Sequence, residues 1–98
     1  MSKGYWVAFA DISDLEGYKA YMAENAKAFA KFGAHFLVRG GKYEAPEGKP
    51  RSRTVVIEFP SYQAAVDCYH SPEYAKAKAL RTGKSIMDLS IVEVYDVP

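Results

Sequence analysis

Residues 4–12, GYWVAFADI, carry apolar side chains at both odd and even positions. Tyr5, Val7 and Phe9 fall on one face of an extended strand, and Trp6, Ala8, Ala10 and Ile12 on the other. An antiparallel strand with one wet side alternates apolar and polar residues, so this segment demands cover on both faces. Residues 53–59, RTVVIEF, make a weaker form of the same demand: Val55, Ile57 and Phe59 face one way, Thr54, Val56 and Glu58 the other. A chain of 98 residues has material for one core, not two. One layer of helices covers one sheet face only, so the other is expected to be buried against a second copy in a homodimer.

The rest of the chain supplies that layer. Ser13-Asp14-Leu15-Glu16 fits a capping box, with Ser13 as the cap and Glu16 reaching back to it. Leu15, Tyr18, Met22, Asn25, Phe29 and Phe32 then recur every three or four residues along one helix stripe, which Gly33 can end in the left-handed conformation. Residues 34–39 (AHFLVR) read as a second strand, and Gly40-Gly41 permits a bulge or bend at its end. Residues 42–52 hold two prolines, a glycine and mixed charges, the composition of an exposed hairpin tip. The third strand, 53–59, closes at Pro60, and Ser61 caps a helix through Tyr62, Ala65, Val66 and Tyr69. Ser71-Pro72-Glu73 is itself a helix start, so the helix should break near His70 and resume through Tyr74, Ala77 and Leu80 to Gly83. MDLSIVEVYDV, residues 87–97, alternates as a fourth strand. The fold class predicted is α+β: a ferredoxin-like β-α-β-β-α-β chain with two helices on one face of a four-stranded antiparallel sheet.

Charge and composition narrow the partners. Thirteen basic residues stand against 12 acidic ones without a basic run, which argues against nucleic acid. Cys68 is the sole cysteine, so no intrachain disulfide forms, and a buried thiol in a reducing compartment is expected. The N-terminus shows no apolar signal region, and no apolar run reaches the ~18 residues of a membrane span. A cytoplasmic location is expected.

Few residues carry chemistry. Arg39 and Glu58 are charges set in apolar strand sequence. They either pair with each other or point together into a cavity, where Arg39 grips a carboxylate and Glu58 acts as acid or base. The hairpin register decides, because a slip of one residue reverses a strand's faces. Asn25 is the one polar member of the first helix stripe, and is either satisfied by backbone or aimed into a polar pocket. His70 sits at the helix break beside Tyr69, Ser71 and Tyr74, a set able to line a site for a flat ligand and move a proton. His35 opens the second strand without an evident partner. Arg81, in the last turn before Gly83, either complements the helix C-terminus or binds an anion. No metal-binding spacing, nucleophile elbow or phosphate-binding loop is present.

GYW at 4–6, FLVRGG at 36–41, VVIEFPSYQAA at 55–65, YHSPEY at 69–74, KALR at 78–81 and IVEVYD at 91–96 occur in order over the whole chain. In these the sequence resembles the bacterial family called domain of unknown function 1330, in the dimeric α/β-barrel superfamily. That resemblance implies one dimeric α/β-barrel domain over residues 1–98 and a pocket between helices and sheet near the helix break. Superfamily relatives include monooxygenases, haem-degrading enzymes, isomerase-like proteins and stress-responsive dimers, so it fixes no activity. The expectation is a homodimer, joined through its sheet face, that binds a small aromatic or carboxylate metabolite, with cofactor-free oxygenase or isomerase chemistry and no metal. Arg39 anchors the anion, Glu58 or His70 moves a proton, and Tyr69, Tyr74, Arg81 and Asn25 complete the site. The alternative is a non-catalytic dimeric stress-response or scaffold protein in which Arg39 and Glu58 simply pair.

Overall fold

The computed structural model describes residues 2–96. Its elements are β1 (Gly4–Ile12), α1 (Leu15–Phe32), β2 (His35–Arg39), β3 (Arg53–Phe59), α2 (Tyr62–Tyr69), α3 (Pro72–Ala79) and β4 (Ser85–Glu93). The strands form one sheet in the order β2-β3-β1-β4, every neighbouring pair antiparallel. This is the β-α-β-β-α-β arrangement, with its second helix in two pieces. β4 starts two residues earlier than the alternation predicted and ends at Glu93, and Val97 of the predicted strand lies outside the described residues.

The local signals explain most boundaries. Gly33 ends α1 at φ 72°, and its N–H bonds the Phe29 carbonyl, a position a side chain would strain. The cap of α1 is Asp14, not Ser13: the Asp14 carboxylate accepts from the Gly17 N–H at 3.0 Å. Ser13 instead donates its hydroxyl to the Lys84 carbonyl, tying the end of β1 to the start of β4. The buried stripe of α1 also differs from the predicted one. Tyr18, Tyr21, Asn25, Ala28 and Phe29 are buried, whereas Leu15 is exposed.

At the helix break, the Ser71 hydroxyl accepts from the Tyr74 N–H at 3.1 Å and donates to the Cys68 carbonyl at 2.7 Å. One buried side chain thus ends α2 and starts α3, with Pro72 at the first helical position. Ser71→Ala leaves the Tyr74 N–H without its cap, while the Cys68 carbonyl loses the hydroxyl but keeps the Ser71 backbone N–H at 3.2 Å. The variant is expected to lose about 1–2 kcal/mol, the upper range for a lost cap, which for a domain of this size lowers Tm by roughly 4–16 °C in thermal denaturation followed by circular dichroism.

Register sorts the two sheet faces. Trp6, Ala8 and Ala10 of β1 lie beside Ile57 and Val55 of β3 and Ile91, Leu89 and Met87 of β4, and this face carries the helices. Trp6 is its centre. The indole is 1% exposed, donates Nε1–H to the Ala65 carbonyl at 2.9 Å, and has the rings of Tyr74, Phe29 and Phe59 within 5.3 Å. The opposite face carries Tyr5, Val7, Phe9, Val38, Val56, Ile86 and Val92, interrupted by Thr54, Glu58, Asp88 and Ser90, and no helix covers it. Ile86 and Val92 are 61% and 47% exposed.

Residues 42–50 are exposed throughout, and the end of this loop is tied down. Arg51 donates to Asp88 at 3.0 Å and to Asp11 at 3.1 Å, while the Ser52 N–H and hydroxyl both bond Asp11. The Ser52 bonds, with Arg51 adding to them, hold the Asp11 carboxyl below its ordinary pKa.

Candidate functional site

Among the described residues, two cavities between the helices and the sheet are both lined by Met87 and Leu89. The outer one, about 390 Å³, sits under the break between α2 and α3. Tyr69, His70 and Arg81 line it over an apolar floor of Met87, Leu89 and Ile91. Its volume falls within the range of small-molecule sites, roughly 300–1,000 Å³. The break creates this opening. Because Ser71-Pro72 turns the chain, His70 caps the C-terminus of α2 and stays exposed at the rim. Its ring stands edge-on to Tyr69, centroids 5.3 Å apart. The Lys78 ammonium donates to the Tyr69 hydroxyl at 2.9 Å and adds a positive charge to the same rim.

The inner cavity holds about 30 Å³, room for one or two waters. Asn25, Tyr18 and Tyr21 of α1, Arg39 of β2 and Arg53 of β3 supply its polar wall. Asn25 is 4% exposed and its Oδ1 has no hydrogen-bond partner among the described residues. The Tyr21 and Tyr74 hydroxyls bond each other at 2.8 Å. Burial pushes both phenols above the usual range; the neighbouring Tyr74 adds to the rise at Tyr21. Burial likewise takes Tyr18 to about 12, so all three are neutral donors at physiological pH. Cys68 is fully buried, and burial followed by the nearby Glu73 pushes its thiol up to about 12, the state of an inert side chain.

The residues singled out from sequence therefore separate into groups. Arg39 and Asn25 line the inner cavity; Tyr69, His70 and Arg81 line the outer one. Tyr74 is 0% exposed and lines neither, standing behind both as the partner of Tyr21 and a neighbour of Trp6. Glu58 is the clear correction. It projects from the face opposite the helices, where it accepts from Lys3 at 3.3 Å and from the Tyr5 hydroxyl at 3.2 Å. That places it away from both cavities and from Arg39, so it neither pairs with Arg39 nor moves a proton in a helix–sheet pocket.

The cause is one residue in β2. His35 pairs with Glu58 and Phe36 with Ile57, but Val38 pairs with Val56 and Arg39 with Val55, so Leu37 is an extra residue. This bulge turns Arg39 to the helix face, where its guanidinium lies 4.3 Å from the centre of the Phe36 ring. Arg53 was not singled out from sequence. The signal was present: it is two residues before Val55 and four before Ile57, on the same face of β3. His35 is exposed and, with Glu58 opposite, belongs to the open face.

Among the described residues, no group of three or more His, Cys, Asp and Glu is placed to hold a metal, and no helix is long and apolar enough to cross a membrane. Residues 3–95 match the family described as domain of unknown function DUF1330. The chain belongs to the DUF1330 family. No curated protein matches this DUF1330 chain. Among solved structures it is similar to a protein of unknown function from Rhodopseudomonas palustris, at 16% identity and TM-score 0.76, over 98% of this chain and 85% of that one. It is also similar to SnoaB, a cofactor-independent oxygenase from Streptomyces nogalater, at 11% identity and TM-score 0.66, over 99% and 97%. A third relative, from Bacteroides fragilis, is described as a dimeric protein of unknown function with a ferredoxin-like fold; identity is 13% and TM-score 0.56, over 94% and 96%. At these identities the likeness is one of fold, and it agrees with the ferredoxin-like architecture of the DUF1330 chain.

Proposed function

We propose that this DUF1330 protein is a homodimer, joined through its open sheet face, that binds a small aromatic or carboxylate-bearing metabolite in the outer cavity of each subunit. The observation that carries this reading is the cavity of about 390 Å³ in which Arg81, His70 and Tyr69 meet an apolar floor. Arg81 is the anion anchor, because a guanidinium offers a planar fork to a carboxylate. Tyr69 and Met87 cover the faces of a flat ring. His70 stands at the exposed rim, where its imidazole can take a proton from an acidic C–H or O–H of the ligand. Proton removal of that kind is a first step open to cofactor-free oxygenation and to isomerisation alike, and the fold shared with a cofactor-independent oxygenase supports testing both. A non-catalytic scaffold would be expected to have a filled core, and the size of the cavity argues against it.

The test is a thermal-shift screen of aromatic carboxylates, quinols, small lactones, flavin and haem. A binder present at about a hundred times its Kd adds about 2.7 kcal/mol, which for a domain of this size raises Tm by about 10 °C or more. The expected result is a concentration-dependent shift with an aromatic carboxylate that Arg81→Gln erases and that His70→Gln preserves while turnover is lost. A wild-type protein that responds to nothing in the panel, or an Arg81→Gln protein that responds as the wild type does, overturns the proposal.

A further inference from the structure

Three of the four arginines in the chain, Arg39, Arg53 and Arg81, line the two cavities. None of the three has a carboxylate partner among the described residues. The fourth shows how this protein treats an arginine it uses structurally: Arg51 is held by both Asp11 and Asp88. Arg39 is exposed, but Arg53 and Arg81 are half-buried, and a guanidinium, charged at every accessible pH, requires a partner where it is removed from water. Here the shortage is visible atom by atom. Nε of Arg53, Nε of Arg81 and Oδ1 of Asn25 are buried without hydrogen bonds among the described residues. Nor do the nearby phenols supply the missing charge. Burial, then Tyr21, push Tyr18 up to about 12 even though Arg53, Arg81 and Arg39 all act against that rise, so its hydroxyl stays neutral beside them.

We infer that the ligand is doubly anionic: an aromatic or unsaturated dicarboxylate with one carboxylate at Arg81 and the other at Arg39 and Arg53. The inference rests on the ligand role proposed for the outer cavity and adds a second subsite to it. Size sets the division of labour. The inner cavity, at about 30 Å³, admits a head group and not a whole metabolite, whereas the outer one has room for a ring. Met87 and Leu89, which line both cavities, give the ligand's middle a thioether and an aliphatic surface, which suits a flat apolar spacer between two charged ends. Asn25 Oδ1, an acceptor without a donor, takes a ligand hydroxyl or a water held beneath the inner carboxylate.

The test titrates the full chain calorimetrically with benzoate, isophthalate and terephthalate. A second carboxylate that gains a charge-assisted hydrogen bond should tighten binding by about ten- to a hundredfold over benzoate. Arg53→Gln and Arg39→Gln should each pull that ratio toward one, while Arg81→Gln should weaken benzoate and the dicarboxylates alike; far-UV circular dichroism checks that each variant is folded. Dicarboxylates binding no tighter than benzoate, or a preference that survives loss of both Arg39 and Arg53, overturns the second subsite and leaves the outer site standing on the response of benzoate to Arg81. Binding of none of the three acids at millimolar concentration overturns both.

Discussion

Trp6→Ala is expected to cost about 3–5 kcal/mol, the range for emptying a buried aromatic site, and to lower Tm by roughly 12–40 °C. Three losses coincide at this position. The indole is buried among Phe29, Phe59, Tyr69 and Tyr74, so its removal leaves a void bordered by rings that are themselves held by neighbours and cannot collapse inward. Its Nε1–H satisfies the Ala65 carbonyl inside α2, which would be left without that donor in a buried setting. It also borders the inner cavity, so the void would merge with that space. Small domains hold only about 5–15 kcal/mol in total, so the variant approaches the limit of folding. Trp6→Phe separates the contributions: it keeps much of the volume, loses the hydrogen bond, and should fall between wild type and alanine. Chemical denaturation in urea reads both, and a Trp6→Ala midpoint within error of the wild type would show that the aromatic cluster does not organise the core.

That cluster also marks how far sequence reasoning reaches. β3 is legible to its ends because Thr, Val and Ile crowd it and Pro60 stops it; the break at His70 is legible because Ser71-Pro72-Glu73 leaves the chain little choice but to start a helix. Asp14 displaces Ser13 as the α1 cap because both side chains suit the role, and the Lys84 carbonyl, distant in sequence, claims the Ser13 hydroxyl. Tyr21 joins the buried face because α1 packs against α3 as well as over the sheet, which widens its apolar stripe beyond one line of residues. The candidate site was less legible for a single physical reason. Strict alternation along β2 puts Arg39 on the face of His35, and so beside Glu58; the extra residue at Leu37 reverses that assignment. No local pattern announces the bulge, whereas β3 has none, and its unbroken alternation already places Arg53 with Val55 and Ile57. Cavity residues could be named one at a time, but their division between two cavities depends on contacts between elements far apart in the chain.

Val7→Asp is expected to convert the proposed dimer into a folded monomer. Val7 lies near the middle of the open face, opposite Val56 on β3 and Ser90 on β4. In an isologous interface each substitution occurs twice. An uncompensated buried charge costs about 3–5 kcal/mol, so two copies raise the dissociation constant by about four powers of ten or more. Nothing comparable is charged to the monomer, whose face is open to water, so far-UV circular dichroism should be retained. Light scattering at micromolar concentration should give the mass of two chains for the wild type and of one for Val7→Asp. A monomeric wild type, or a Val7→Asp protein that stays dimeric, would mean that the apolar face serves some other end. The geometry adds a second readout. Both cavities lie on the helix side of the sheet, with Trp6 and Ala8 of β1 lining the inner one and Met87, Leu89 and Ile91 of β4 flooring the outer one, while Val7 faces away. A monomeric Val7→Asp protein should therefore keep its thermal response to an aromatic carboxylate; loss of that response along with the dimer would show that the partner subunit helps to shape the site.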